Sequence, residues 1–147
     1  METRIQIHEL EPDAFQAMLG LEAYITATDL DPSLKKIIKI RASQINGCAY
    51  CIQMHAEEAR KKGETEQRIY ALAAWKESPL FSEIERTVLA VTEELTLISD
   101  RGLSKELYNK ALAVLGDNQL AQCMMQVVTI NAWNRIAVAT NMRHEAA

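Results

Sequence analysis

Two cysteines and a histidine in residues 43–55, SQINGCAYCIQMH, are the side chains best suited to chemistry. Cys48, Cys51 and His55 are spaced i, i+3 and i+7, so on a helix all three lie along one stripe. A thiolate is the nucleophilic form of cysteine, and a neighbouring imidazole can accept the thiol proton. The spacing therefore indicates nucleophilic or redox chemistry at a thiol.

The two cysteines differ in what would activate them. Cys48 lies at the expected helix N-terminus, where unpaired backbone N–H groups and the helix dipole favour the thiolate. His55 lies one turn beyond Cys51 and is positioned to take its proton. Helix position alone favours Cys48 as the more acidic thiol, whereas the histidine favours Cys51.

The spacing also allows the two cysteines to form a disulfide. Helical neighbours at i, i+3 have Cβ atoms about 5–6 Å apart, whereas a relaxed disulfide needs about 3.5–4.5 Å. A bridge between Cys48 and Cys51 would be strained and easily reduced, which suits a turnover cycle.

A structural zinc site is an alternative, and its fourth ligand would come from Cys123, His8 or His144. Two buried thiols packing as small apolar groups would leave the histidine unexplained.

Composition excludes several classes of protein. The chain has 147 residues, of which 48% are hydrophobic and 24% charged, as expected for one globular domain at 1–147. The net charge of −4 and the absence of a basic cluster argue against nucleic acid. The nearest approach to one is Lys35, Lys36, Lys39 and Arg41, which are interpreted as the solvated face of a helix, with anion binding as the less favoured alternative. The sequence shows neither a leader nor a membrane span, so we expect a cytoplasmic protein, in which a close pair of cysteines is catalytic or metal-binding rather than structural.

Helical periodicity predicts an all-α fold, a single-domain bundle of about seven helices, with no convincing strand alternation. Asp31 with Pro32, and the Ser82 and Glu85 capping box, mark helix starts. The predicted helices cover about residues 12–27, 31–45, 48–62, 65–77, 82–98, 104–115 and 118–141. The last is apolar on more than one face, so it should be a central helix, a subunit interface or both.

Several stretches are similar to one known family. They are RASQINGCAYC at 41–51 with His55, AWKESPLF at 74–81, ER at 85–86, TEELT at 92–96 and AWNRIAVA at 132–139. In these the chain resembles the alkylhydroperoxidase D-like (AhpD-like) proteins of the carboxymuconolactone decarboxylase superfamily. The resemblance implies an all-α subunit that assembles into trimers or hexamers and reduces hydroperoxides. It also implies that Cys51 attacks the peroxide, Cys48 resolves the sulfenic acid as a disulfide, and His55 relays protons.

Lys36 is where the sequence departs from the family's pattern. The pattern places a proton-relay glutamate twelve residues before the first cysteine, and Lys36 occupies that position. An ammonium group can stabilise a thiolate but is a poor base. Glu85 and Glu93 are candidate substitutes, and Glu93 is favoured because Glu85 serves the capping box of Ser82. A solvated carboxylate or an ion-pair partner of Arg86 is the alternative interpretation of Glu93.

The sequence thus predicts a thiol-dependent peroxidase that needs no cofactor and no metal. The resemblance adds a dithiol reductant, lipoamide-like or thioredoxin-like, as its partner. A thiol-disulfide redox protein or sensor using the same cysteine pair is the alternative. A lyase of the carboxymuconolactone decarboxylase type is a third possibility, disfavoured because that reaction needs no thiol pair.

Overall fold

Helices are the only regular elements in Glu2 and residues 4–144, the part of the chain that the computed structural model describes. The predicted all-α fold is confirmed. None of these helices combines the length and apolar character needed to cross a bilayer. In chain order the elements are α1 (Ile7–Leu10), α2 (Pro12–Ala27), α3 (Pro32–Ile45), α4 (Ala49–Lys61), α5 (Glu66–Ala71), a 3-10 helix (Leu72–Glu77), α6 (Glu83–Thr96), α7 (Ile98–Arg101) and α8 (Lys105–Ala139).

Two short helices and two irregularities distinguish the structure from the seven predicted helices. The short helices α1 and α7 span four residues each, too few for a helical period to show in the sequence. The helix predicted at 65–77 is α-helical to Ala71 and continues as the 3-10 helix, with non-helical backbone at Ala74. Gly116 interrupts α8 with a φ of +75°, at the helix boundary that the sequence predicted.

The long helix α8 forms the centre of the fold, since α2, α3, α4 and α6 all pack against it. Beyond Gly116 it contributes buried apolar side chains to the core: Leu120, Cys123, Val127 and Ile130. It also leaves Val128 and Val138 at 51% and 45% exposure. A subunit interface would cover these exposed apolar side chains. The homo-oligomer stays a prediction, which light scattering can check.

A partly buried polar network fixes the end of α3 on α8, immediately before the cysteines. The Asn134 side chain donates to Ser43 Oγ over 3.0 Å. Asn46 Nδ2 donates to Asn131 Oδ1 and Asn134 Oδ1, at 3.0 and 2.9 Å. Because these polar groups satisfy one another, and Ser43 and Asn134 do so while fully buried, they hold the α3 C-terminus in one position.

Candidate active site around Cys51 and His55

A junction of three residues between α3 and α4, residues 46–48, positions the cysteine pair. The α3 helix ends in a Schellman motif, in which Gly47 N–H donates to Gln44 O over 3.2 Å and Cys48 N–H donates to Ser43 O over 3.0 Å. Gly47 has a φ of +65°, which glycine adopts without steric penalty. Cys48 is then the N-cap of α4, and its Sγ accepts the Cys51 N–H over 3.2 Å. The predicted helix start at Cys48 is confirmed.

The two cysteines are joined by a disulfide, as their spacing predicted. Their Cα atoms are 5.3 Å apart, and each residue is only 2% exposed. Cys51 lines a cavity of about 730 Å³, whereas Cys48 is absent from its wall and packs with Ala137 and Tyr50. A molecule that enters this cavity therefore meets Cys51, with Cys48 behind it.

The cavity beside Cys51 is large and mostly apolar. Its volume of about 730 Å³ lies in the range of pockets that enclose drug-sized ligands. Helices α2, α3, α4 and α8 form most of the wall, and the segment containing α1 and the residues that follow α4 and α8 add the rest. The apolar and aromatic side chains of the wall are Ile7, Phe15, Ile25, Tyr50, Met54, Trp133, Ile136, Ala137 and Met142.

His55 lies at this cavity, one turn along α4 from Cys51. Its side chain is buried, and its Nδ1 has no hydrogen-bond partner among the described residues. Burial, reinforced by the positive charge of Lys39, lowers the pKa of His55 to about 4. The imidazole is therefore neutral near pH 7, the state in which a ring nitrogen can accept a proton.

Glu58 is the functional candidate that the sequence interpretation missed. Its Oε2 lies 3.6 Å from His55 Nδ1, so a small approach would give a hydrogen bond. Its carboxylate also contacts Lys62 Nζ at 2.8 Å and Lys39 Nζ at 3.4 Å. The hydrogen bond from Lys62, with the charges of both lysines, lowers the pKa of Glu58 to about 2. A permanent carboxylate thus faces the Nδ1 side of the buried imidazole.

Comparison with known proteins identifies the family of the chain. Residues 12–94, more than half of the chain, match the carboxymuconolactone decarboxylase family. The chain belongs to this family. The uncharacterized protein YdfG of Bacillus subtilis is 38% identical over 143 residues, with 97% of each chain covered.

Solved structures extend the match to the whole fold. An Agrobacterium tumefaciens protein of unknown function, described as a candidate AhpD antioxidant defence protein, superposes with a TM-score of 0.96. It is 36% identical, and the match covers 99% of this chain and 100% of that one. A peroxidase-related protein from Silicibacter sp. TM1040 shares the fold at a TM-score of 0.81 and 19% identity, covering 92% and 72% of the two chains. The predicted AhpD-like membership of the carboxymuconolactone decarboxylase superfamily is confirmed.

Lys36 occupies the position of the family's proton-relay glutamate. It lines the cavity together with Lys35 and Lys39. All three lysines are only partly exposed, and Arg41 is 17% exposed at its side chain. The interpretation of these residues as a solvated helix face is therefore wrong. The reason is that α4, α6 and α8 all pack around α3, and Lys35 Nζ donates to Thr28 O at the end of α2 over 2.8 Å.

Glu93, the predicted substitute for the family's relay glutamate, lies elsewhere. Its Oε1 accepts from Trp75 Nε1 at 2.7 Å and from Arg41 Nη2 at 3.0 Å, and its Oε2 contacts Lys76 Nζ at 3.0 Å. Glu93 is not among the residues that line the cavity with Cys51. It faces inward as an ion-pair centre joining α3, the 3-10 helix and α6, so the proposed relay role is corrected.

The remaining sequence candidates serve the fold. Glu85 completes the capping box with Ser82 that the sequence predicted. Cys123 is a free thiol, fully buried, and burial raises its pKa to about 12, which keeps it protonated and unreactive. Within residues 4–144, no three His, Cys, Asp or Glu side chains are grouped so that they could hold a metal ion.

Proposed function

We propose that the protein is a thiol-dependent peroxidase that reduces organic hydroperoxides through Cys51 and Cys48. One observation carries the proposal: Cys51 lines the large cavity beside His55, while Cys48 lies bonded behind it. The membership of an AhpD-like family supports the same reaction. In this arrangement the attacking and the resolving thiol have different surroundings.

The different surroundings reconcile the two ways of assigning the cysteines. Once the disulfide is reduced, the Cys51 N–H and the α4 N-terminus favour a thiolate on Cys48. Cys48 is then a good resolving nucleophile even though it does not line the cavity. Cys51 relies on His55 as base, and Glu58 beside Nδ1 compensates the positive charge that His55 acquires.

The proposed cycle balances in three steps. The Cys51 thiolate attacks the outer oxygen of the hydroperoxide, the O–O bond breaks, and the departing alkoxide takes a proton from His55 to become an alcohol. Cys48 then attacks the sulfur of the Cys51 sulfenic acid as a thiolate, and the proton lost by its thiol passes to the departing hydroxide, so that water leaves as the disulfide forms. A dithiol reduces the disulfide and becomes an intramolecular disulfide itself. Each cycle thus converts one hydroperoxide and one dithiol into an alcohol, water and an oxidised dithiol.

A peroxide-consumption assay with cumene hydroperoxide and dihydrolipoamide tests the proposal. The parent protein should consume peroxide steadily, and Cys51→Ser should abolish consumption. Cys48→Ser should complete one turnover and then stall, because the sulfenic acid lacks its resolving thiol. Cys123→Ser is the matched control and should behave like the parent, since Cys123 lies in the core.

The alternative, a thiol-disulfide redox protein without peroxidase activity, gives a different result in the same assay. Dihydrolipoamide would then reduce the Cys48–Cys51 disulfide, but cumene hydroperoxide would not be consumed. Steady peroxide consumption that survives Cys51→Ser would contradict both assignments.

A further inference from the structure

The cavity beside Cys51 carries an excess of positive charge. Two glutamates line it, Glu22 and Glu58, against four lysines: Lys35, Lys36, Lys39 and Lys62. The chain as a whole has a net charge of −4, so this local balance is opposite to that of the protein. A cavity with low-dielectric walls and a positive balance attracts anions.

Most of these charged groups already have partners. Lys39 and Lys62 both contact Glu58, at 3.4 and 2.8 Å. Lys35 donates to backbone carbonyls at the end of α2. Glu22 accepts from the indole N–H of Trp133 over 3.1 Å.

Lys36 is different because no hydrogen bond or ion pair joins it to another of the described residues; Asp31, the N-cap of the same helix, attracts it electrostatically but forms no ion pair with it. Its side chain is partly buried in the cavity wall, among surfaces that are mainly apolar. A partly desolvated ammonium group is more stable when an anion pairs with it. The natural partner for Lys36 is therefore a negative group on a ligand.

The volume of about 730 Å³ indicates what else that ligand contains. Hydrogen peroxide is far smaller than the drug-sized ligands that such cavities enclose. Apolar and aromatic walls bind an apolar body by removing it from water. The cavity thus combines a surface for a chain or ring with one cationic anchor.

We propose that the cavity binds organic acids that have an apolar chain or ring and a single carboxylate paired with Lys36. The preferred hydroperoxides would then belong to this class, a conclusion that rests on the proposed function. A carboxylate fits better than a phosphate, because one lysine presents a single point charge and phosphate groups usually recruit several donors.

Calorimetric titration of the oxidised, disulfide-bonded protein tests binding without any turnover. Octanoate should bind at least about tenfold more tightly than 1-octanol, as expected for a charge-assisted hydrogen bond. Lys36→Met should weaken octanoate binding by about the same factor and leave 1-octanol binding unchanged. Lys61→Met is the matched control, because Lys61 is exposed on α4 and does not line the cavity. It should leave both affinities at the parent value.

Three results would overturn the inference: no octanoate binding to the parent, equal affinities for octanoate and 1-octanol, or no effect of Lys36→Met. Tighter, Lys36-dependent binding of octyl phosphate would assign the anchor to a phosphate ester and would also overturn it.

A second experiment separates this inference from the proposed function. It compares kcat/KM for a fatty-acid hydroperoxide and for its methyl ester in the parent and in Lys36→Met. The acid should be preferred about tenfold in the parent, and Lys36→Met should remove the preference. If neither peroxide is consumed but octanoate binding depends on Lys36, the peroxidase proposal fails and the carboxylate site stands. If both are consumed at equal kcat/KM, the peroxidase proposal stands and the inference fails.

Discussion

Glu58 and Glu93 both contact lysine side chains and both have a lowered pKa, yet their other neighbours differ in what they can do. Glu93 is enclosed by the indole of Trp75 and the guanidinium of Arg41, neither of which exchanges a proton near neutral pH. Glu58 lies 3.6 Å from His55, whose neutral ring can accept a proton during the reaction. A charged carboxylate thus supports the fold in one place, and in the other it stabilises the positive charge that its neighbour acquires on accepting a proton.

The site of His55 and Glu58 and the surroundings of Glu93 should differ most in how the free energy of unfolding changes with acid. The pKa of His55 is about 4 in the folded protein and 6.5 in the unfolded chain. The contribution of His55 is therefore fully present above pH 6.5 and is lost as the pH falls toward 4, a loss of about 3 kcal/mol. Urea unfolding at a series of pH values should show this loss, and His55→Asn should flatten it.

The stability that Glu93 contributes should be lost at a lower pH than the stability that His55 contributes. The pKa of Glu93 is lowered from 4.5 through hydrogen bonds from Trp75, Lys76 and Arg41, which outweigh its burial. Its contribution is present above pH 4.5 and is lost below it. If His55→Asn lost as much stability between pH 6.5 and 4.5 as the parent does, the assignment of that loss to His55 in the cavity would be wrong.

Glu93→Gln should destabilise the fold without affecting turnover by folded protein. The substitution removes the charge from the hydrogen bonds with Arg41 and Trp75 and should cost about 2 kcal/mol. Urea unfolding measures the stability, and peroxide consumption below the unfolding transition measures turnover. A tenfold loss of turnover at unchanged stability would restore Glu93 to the relay and contradict the comparison.

Glu58→Gln should lower turnover without destabilising the fold. We expect turnover to fall by about tenfold or more, because Glu58 no longer compensates the charge on His55 during proton transfer. Glu58 raises the pKa of His55, so its loss should also move the acidic limb of the pH profile to lower pH. The matched control is Glu57→Gln, next to Glu58 on α4 but exposed and away from the cavity. Equal effects of the two variants would remove Glu58 from the mechanism.

Lys39→Met should have the smallest effect. The positive charge of Lys39 lowers the pKa of His55, so its removal should raise that pKa and make the imidazole a better base. The acidic limb of the turnover profile should move to higher pH, opposite to the shift in Glu58→Gln. Movement of both variants in the same direction would contradict this description of the site.

The sequence predicted the long helices and the cysteine stripe because both depend on local spacing. Gly47 and Cys48 mark a helix end and a helix start, and the structure confirms both. Glu58 carried a similar signal, since it continues the stripe of Cys48, Cys51 and His55 at i+3 from the histidine. The signal was missed because Glu58 stands in the charged run EEARKK, which is typical of a solvent-facing surface.

The positions of Lys36 and Glu93 depend on long-range packing and could not be read from local spacing. Lys36 lines the cavity because α2 and α4 lie beside that part of α3. Glu93 turns toward Arg41, which is 52 residues away in the chain. A helical period indicates that a residue faces inward, but not which of several neighbours it meets.

The most direct test of the central claim is to locate the sulfenic acid. Reduced Cys48→Ser protein is treated with one equivalent of cumene hydroperoxide in the presence of dimedone, and the labelled peptide is identified by mass spectrometry. We predict one dimedone adduct, on Cys51, and much slower labelling of Cys48 in the Cys51→Ser protein. Equal rates of labelling at the two cysteines, or no adduct on Cys51, would contradict the claim that Cys51 attacks the peroxide in the cavity.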